Sequence, residues 1–542
     1  MLAPVVLAAA ALAAGPPEDL APPELEGEPL WARAGLRLRF TAEAAVPTDA
    51  VLFDPATNLF AASGFLAPQP ADSYPSALAF VSVGLNAASW LDFRLDVDSG
   101  LVRSQQLPAS VEVCLSSRTL SGLETVSPTT CRPGTGGALT VIQGSLPSTL
   151  LAPAQITSNG QPILTEFDST LFIRQLYADV TAGRAGFFRA RVGRQRLRVA
   201  EGIVYDDWGL GVDLDVDAGA VGPPVGASLS VFYPTRGWPS PSQWASPVVA
   251  ATLDWLPSLG EWVGLWGAFS HDDTGDANAV LREGFIATEV GRLLANAPGS
   301  TAYIRSSRAL ALLIASPPRG TSNIGWAGVS GHIDAGDRNE ARFTAGACFG
   351  SVSSYAATNS STLPNAVNVP VLGWEVSLRW LSVLGGGFRV SPFFLWLSGD
   401  DPAEEQAAAL GVPKSYSGFL SISPFITTTN LFFQGGISEA YADRELSSSG
   451  VNARGVITPG MEAGWTPTPA VDVVAKAAFL WSDTPSPYGG RVYGPELDLN
   501  ASWSPWPWLA VLGEADFLAE GNFFPTRGLG RRFILGVDLT TP

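Results

Sequence analysis

Hydrophobic and polar residues alternate with period two along much of this chain. In "SWLDFRLDVD", Leu91, Phe93, Leu95 and Val97 fall on one face and Asp92, Arg94, Asp96 and Asp98 on the other. In "DWGLGVDLDVD", Trp208, Leu210, Val212, Leu214 and Val216 oppose Asp213, Asp215 and Asp217. In "GWEVSLRW", Trp374, Val376, Leu378 and Trp380 oppose Glu375, Ser377 and Arg379, and in "PELDLNASW" Leu497, Leu499, Ala501 and Trp503 oppose Glu496, Asp498, Asn500 and Ser502. Such segments are strands with one dry and one strongly polar face. The pattern predicts eighteen of them, near 34–44, 77–85, 89–98, 169–181, 186–198, 207–217, 226–234, 246–256, 260–271, 323–334, 339–351, 371–382, 386–398, 455–465, 470–482, 493–503, 507–519 and 530–540. Many approach the roughly 9–11 residues that cross an outer membrane.

A sandwich with its dry faces inward would alternate in the same way, so the connections have to decide. Tight turns ("NAA", "AGRA", "PSL", "AGDR", "TPTP", "SPW") alternate with long segments at 45–76, 99–168, 272–322, 352–370 and 399–454. Short turns on one side and long loops on the other mark a transmembrane barrel. "RALALLIA" (308–315) is strand-like, but counting it would break the alternation, so it is assigned with the helix-like stretch before it to the loop 272–322. The fold class expected is all-β: a transmembrane antiparallel up-and-down β-barrel of about eighteen strands, with short periplasmic turns and long extracellular loops.

Composition agrees. Only 15% of residues are charged while 46% are hydrophobic, against about 25% charge in a soluble protein. Apart from the N-terminus, no run reaches the ~18 apolar residues of a membrane helix. A chain of this kind enters lipid only as a closed barrel, because no open sheet satisfies its backbone there. "MLAPVVLAAAALAAG" reads as a signal peptide, residues 1–13, with Ala11-Leu12-Ala13 as its cleavage pattern. An acidic, Pro-rich spacer (14–33) follows, then the barrel (34–542), whose long loops 99–168, 272–322 and 399–454 are expected to fold inward or over the mouth. Trp208, Trp374, Trp380 and Trp503 lie near strand ends or on dry faces, where lipid-interface girdles sit. Cys114 and Cys131 are a disulfide candidate within a Ser/Thr/Pro-rich segment, and Cys348 is left over.

Charge sharpens the picture. Net charge is −18, yet "GFFRARVGRQRLRVAEG" gathers Arg189, Arg191, Arg194, Arg196 and Arg198. Nucleic acid is one reading of such a run, and a membrane-crossing strand is the other. Strict alternation puts Arg189 and Arg191 with Gln195 on the polar face, opposite Phe188, Ala190 and Val192. Arg194, Arg196 and Arg198 then fall either at the lipid-facing outer rim or, if Gly193 hosts a bulge, inward. The rim is preferred, and no nucleic-acid partner is expected. Arg37, Arg39, Arg94, Arg342, Arg379, Arg389, Arg532 and Lys476 share polar faces too. An arginine facing lipid at mid-membrane costs about 2–4 kcal/mol, so these residues face the lumen. There Arg37, Arg39, Arg94, Arg189, Arg191, Arg379, Arg389 and Lys476 are the candidates to line a charged constriction, with strand-borne acids offsetting them.

Catalytic and metal signals are weak. His271 in "FSHDD" neighbours Ser270, Asp272 and Asp273, but successive residues of a strand point to opposite faces, and no G-x-S-x-G elbow exists. His332 stands apart near the other rim. "DLDVDAG" (213–219) imitates a calcium loop, but its glycine comes one place late and Pro224 replaces the closing glutamate. Neither metal, cofactor nor catalytic residue is expected.

Across "FIRQLYADVTAGRAGFFRARVGRQRLRVAEGIVYDDW" the sequence resembles the alginate-export porin family of Gram-negative outer membranes. The resemblance lies in Arg174-Gln175-x-Tyr177-x-Asp179, Val192-Gly193-Arg194-Gln195 and Asp207-Trp208, with "SGDD" at 398–401 and the Glu496/Asp498 strand, in patches of 169–540. It implies an eighteen-stranded monomeric barrel passing an anionic polysaccharide, with Arg189 and Arg191 lining the lumen. The expectation is a passive outer-membrane channel for hydrophilic, anionic or saccharide solutes, extending to exopolysaccharide export. Its partners would be outer-membrane lipid and lipopolysaccharide, the solute, and exopolysaccharide export machinery. The alternatives are a non-conducting structural or surface-binding barrel, a barrel hydrolase using His271, and a soluble exported protein.

Overall fold

In the computed structural model each of the eighteen alternating segments is a strand, and the strands hydrogen-bond to their chain neighbours in one antiparallel sheet. In chain order they are β1 (Leu30–Ala44), β2 (Asp72–Ala88), β3 (Leu91–Arg103), β4 (Phe167–Ala182), β5 (Phe188–Val199), β6 (Tyr205–Asp217), β7 (Val225–Pro234), β8 (Val248–Ser258) and β9 (Glu261–Asp272). There follow β10 (Gly320–Asp334), β11 (Asn339–Ala356), β12 (Asn365–Gly385), β13 (Phe388–Leu397), β14 (Val456–Thr468), β15 (Val471–Trp481), β16 (Val492–Trp506), β17 (Leu509–Ala519) and β18 (Leu529–Thr540). The sheet closes on itself: β1 pairs with β18 from Gly35↔Thr540 to Ala44↔Arg531. The structure describes residues 29–44, 72–103, 112–114, 155–157, 167–183, 187–220, 222–234, 247–258, 260–273, 277, 281, 300–301, 320–336, 338–356, 365–400, 415–422, 426, 428–433, 447–486, 489–524 and 528–541. The expected signal peptide, most of the spacer, "RALALLIA", Cys131 and nearly all of the loops 99–168 and 272–322 lie outside them.

The two faces of the wall differ as the alternation requires. Outward positions are large, apolar and exposed: Leu38 and Phe40 on β1, Leu265 and Phe269 on β9, Leu372, Trp374 and Leu378 on β12, Leu497 and Leu499 on β16. Inward positions are polar or small and buried, such as Arg39, Asp96, Glu375, Glu462 and Asp516. This is the reverse of a soluble protein, where the dry face forms the core. A tryptophan girdle marks the short-turn end, with Trp90, Trp255, Trp380, Trp465, Trp503, Trp506 and Trp508 all exposed. Trp506 and Trp508 stack across their turn at 5.2 Å.

Where large side chains turn inward, the wall beneath them is glycine. The Trp266 indole on β9 faces the interior and lies over Gly328 and Gly346, where an added Cβ would stand 2.4 and 2.5 Å from the ring. A branched side chain there has no room, and overpacking a filled site costs about 1–3 kcal/mol. G346V is therefore expected to destabilise the refolded barrel by that amount, read as a fall in the denaturant concentration at which its heat-modifiable gel migration is lost.

One expectation changes. β11 runs on to Ala356 and β12 starts at Asn365, so the predicted loop 352–370 shrinks to residues 357–364. The alternation read from sequence fades there because side-chain segregation weakens beyond the apolar belt, while backbone pairing continues. The alternative to the rim placement, a bulge at Gly193, does not form. Both ladders of β5 run through Gly193 without a shift, and the bulge lies one strand earlier, at Arg174 of β4, between Asp96↔Gln175 and Val97↔Ile173. Gly193 instead has φ +134°, and a Cβ there would meet the Leu176 carbonyl at 2.2 Å. The site needs glycine for its backbone conformation.

Candidate lumen and constriction

The basic side chains expected on the polar faces point inward, and nearly every one for which contacts are defined meets a carboxylate. Arg39 on β1 is bound by Asp538 of β18 across the closing seam, with Nη2 donating to Oδ2 at 3.2 Å. Arg94 donates from Nε to Asp96 on its own strand at 3.0 Å. The bulged Arg174 donates from Nε to Asp98 Oδ2 at 2.7 Å. Arg189 donates from Nε to both oxygens of Asp179 at 2.8 and 2.9 Å, and Arg191 reaches the same carboxylate at 3.4 Å. Arg379 stands 3.6 Å from Glu462, two strands away. Arg389 forms a two-pronged pair with Asp472, also two strands away, at 2.8 and 2.9 Å. Arg342 pairs with Glu340, which His332 also approaches at 3.2 Å. Arg37 lies over the Phe80 ring at 4.9 Å.

The three upper arginines of β5 are also engaged. Arg196 donates from Nε to Asp206 at 2.6 Å, and Arg198 stands 3.6 Å from Asp206 and 3.5 Å from Glu201. Arg194 is buried and donates from Nε to the Arg174 carbonyl at 3.2 Å. Trp374, Trp380 and Trp503 lie on the outer surface, whereas Trp208 is buried, 5.6 Å beneath the Arg174 guanidinium. Cys114 lies on a short strand paired with residues 155–157, and Cys131, its candidate disulfide partner, lies outside the described residues.

Among the described residues, acids outnumber bases on the inner wall toward the short-turn end of β3–β8. Asp92, Asp179, Asp213, Asp215, Asp217 and Asp254 share that zone with Arg189 and Arg191. Asp213 accepts from Ser230 and Asp254 from Thr252, both neutral groups.

The long connection between β13 and β14 turns into the barrel. Its segment 415–422 docks first on β12, where Tyr416 N–H donates to Pro370 C=O and Leu372 N–H to Tyr416 C=O, each at 2.9 Å. On β10 the Trp326 indole donates to the Leu420 carbonyl at 2.7 Å. On β11, Cys348 is a buried free thiol whose sulfur accepts the Leu420 N–H at 3.4 Å. Ile422 N–H donates to Val204 C=O at 2.7 Å, which ties the segment to the tight tip of the β5–β6 hairpin. Tyr416, Phe419, Leu420 and Ile422 thereby join inward apolar side chains from the wall, among them Phe232, Trp266, Ile324 and Val371, in one buried cluster.

The second docking lies on β15–β18. Asn430 is fully buried there. Its N–H donates to Asp498 at 2.9 Å, and its Nδ2 to Asn500 at 3.3 Å and Asp516 at 3.1 Å. Its Oδ1 accepts from Lys476 at 3.2 Å and its carbonyl from Arg532 at 3.0 Å. Leu431 N–H donates to Glu496 at 2.6 Å. Lys476, expected to line a constriction, thus holds the chain that crosses it. Sequence reasoning missed Asn430 because the polar run that it ends in "TTTNLFF" has no periodicity. The signal that was present is the concentration of Glu496, Asp498, Glu514, Asp516, Lys476 and Arg532 on adjacent inner faces, which needs an occupant.

No arrangement for covalent catalysis forms around His271. It points outward, with Nδ1 2.9 Å from Asn323 Oδ1, while Ser270 and Asp272 are buried on the inner face. Among the described residues no cluster of His, Cys, Asp and Glu has metal-binding geometry.

No family model matches this sequence, and no curated protein matches it. Solved structures similar in overall fold are crystal structures of OccAB1 from Acinetobacter baumannii, OccK8 (OprE) from Pseudomonas aeruginosa and, at high pH, OprB from Pseudomonas putida. OccAB1 is 7% identical over 94% of this chain and 96% of that one, with TM-score 0.45. OccK8 is 10% identical over 94% and 98%, with TM-score 0.43. OprB is 8% identical over 96% of each, with TM-score 0.40. The likeness is one of fold, and no residue role is carried over from them.

Proposed function

We propose that the chain is an outer-membrane channel for the passive passage of hydrophilic solutes. The observation that carries this reading is the inverted wall: an apolar, tryptophan-rimmed exterior around a charged interior, closed by the β1–β18 pairing. Lipid satisfies the exterior, and only a closed sheet leaves no backbone group unpaired within it. A barrel of this strand number encloses water unless loops fill it. On this reading the belt meets outer-membrane lipid, with lipopolysaccharide on the long-loop side, and a single chain suffices.

Of the solute classes suggested by the arginines, the wall favours the saccharide over the anion. Most of the inward arginines are paired with carboxylates, and surplus acids repel a polyanion. Alternating paired donors and acceptors suit an uncharged polyhydroxylated solute. Export of an anionic exopolysaccharide is correspondingly disfavoured. The outward His271 speaks against the hydrolase alternative.

Planar-bilayer recording tests the channel. Refolded protein is expected to insert as discrete conducting steps. A correctly folded, heat-modifiable barrel that never conducts would leave the structural-barrel reading in its place.

A further inference from the structure

We propose that Asn430 fixes the position of the inserted segment and thereby sets the width of the passage. The inference rests on the channel reading for its conductance arm alone. Two observations carry it. First, every hydrogen-bonding group of Asn430 is used, and its partners come from all four strands β15–β18: Lys476, Asp498 and Asn500, Asp516, and Arg532. Only a side-chain amide presents two donors and an acceptor from one planar head. A carboxylate at that position would turn an oxygen toward Asp516 and the Asn500 oxygen, and an alkyl group would strip Lys476 and Asp516 of a partner. Second, the wall groups are themselves buried. Charged groups inside a barrel have water as an alternative partner, yet here they converge on one backbone segment, with Glu496 receiving the next two N–H groups. The docking is a built seat on the inner wall, and on the channel reading the segment held in it narrows the lumen.

The seat also explains why two dockings are needed. Segment 415–422 is held by backbone bonds and apolar burial on β10–β12. Asn430 lies only eight residues beyond Ile422, so the two dockings can stand no more than about 27 Å apart. Releasing Asn430 removes that restraint.

The test uses the full chain with N430D and, as a neutral counterpart that keeps the shape, N430L. A reporter cysteine is introduced by L431C in a background whose Cys114, Cys131 and Cys348 are serine, and folding is checked by heat-modifiable migration. Leu431 is fully buried in the seat. Release is expected to raise single-channel conductance about twofold or more, to admit larger uncharged sugars in liposome swelling, and to speed maleimide labelling of the reporter at least about tenfold. If the unsubstituted chain is silent and N430D conducts, the segment is a plug held by Asn430, which supports the inference and overturns the open-channel reading. If neither conducts, the channel reading fails and labelling decides alone: faster labelling supports the seat and equal labelling overturns it. A conducting channel whose conductance and size limit are the same in both folded variants overturns the inference, whatever the labelling shows.

Discussion

Across a gradient of potassium chloride the reconstituted channel is expected to prefer potassium to chloride by at least about threefold. A count of arginines along the sequence points the other way, and the sign follows from where their charge is spent. Arg189 and Arg191 share Asp179, and their neighbours on β6 in the ladder are Asp215 and Asp213. With Asp92, Asp217 and Asp254 on the same inner zone, the short-turn half of the passage carries a negative surplus. Its field is concentrated by the low-dielectric lipid and protein around it. Replacing Asp213, Asp215 and Asp254 together by asparagine should move the reversal potential toward the chloride side, and D179N, which frees the two arginines, should do so further. The preference should shrink at 1 M salt, where the screening length falls to about 3 Å. A channel that prefers chloride at low salt would show that these carboxylates do not govern the passage.

D472A is expected to destabilise the barrel by about 3 kcal/mol, at the low end for breaking a buried ion pair. Arg389 and Asp472 form two parallel hydrogen bonds, with side chains 10% and 15% exposed. Thr466 donates to the same carboxylate oxygen, Oδ1, at 2.6 Å. Removing the carboxylate strands a guanidinium packed against Gly464, where an added Cβ would lie 2.5 Å from Arg389 Cζ. Replacing both residues by leucine should recover most of the loss, because most of the cost of the single change is an uncompensated charge. Urea unfolding in lipid vesicles, followed by tryptophan emission, measures both. A D472A barrel as stable as its parent would mean that Arg389 is already solvated.

The strands were legible because burial in lipid imposes period two on every crossing segment, and a wall with one dry face cannot slip register without exposing it. Phe533, Leu535 and the other outward residues of β18 announce themselves for that reason. The partners of the arginines were not legible. Arg389 and Asp472 are separated by 82 intervening residues and lie two strands apart, and no local pattern joins them. Arg189 therefore reads as a pore charge in one dimension and as half of an ion pair in three. Nor does period two report the bulge at Arg174, which moves a single side chain, or the seat of Asn430, whose partners are spread over four strands. What alternation conveys is the face a residue occupies; what meets it on that face is set by neighbours across the ladder and by the inserted chain.

The seam between β1 and β18 has a consequence for how the molecule comes into being. Arg39 finds Asp538 only when the final strand has arrived, so the strand that leaves the ribosome early keeps a raw edge until almost the whole chain has been made. Unpaired edges recruit other strands, and contacts between distant parts of a chain form slowly. Stopping short of Leu529 would leave two such edges at once, on β1 and β17. A product cut short before its last strand is expected to clump or be degraded rather than to close as a smaller barrel.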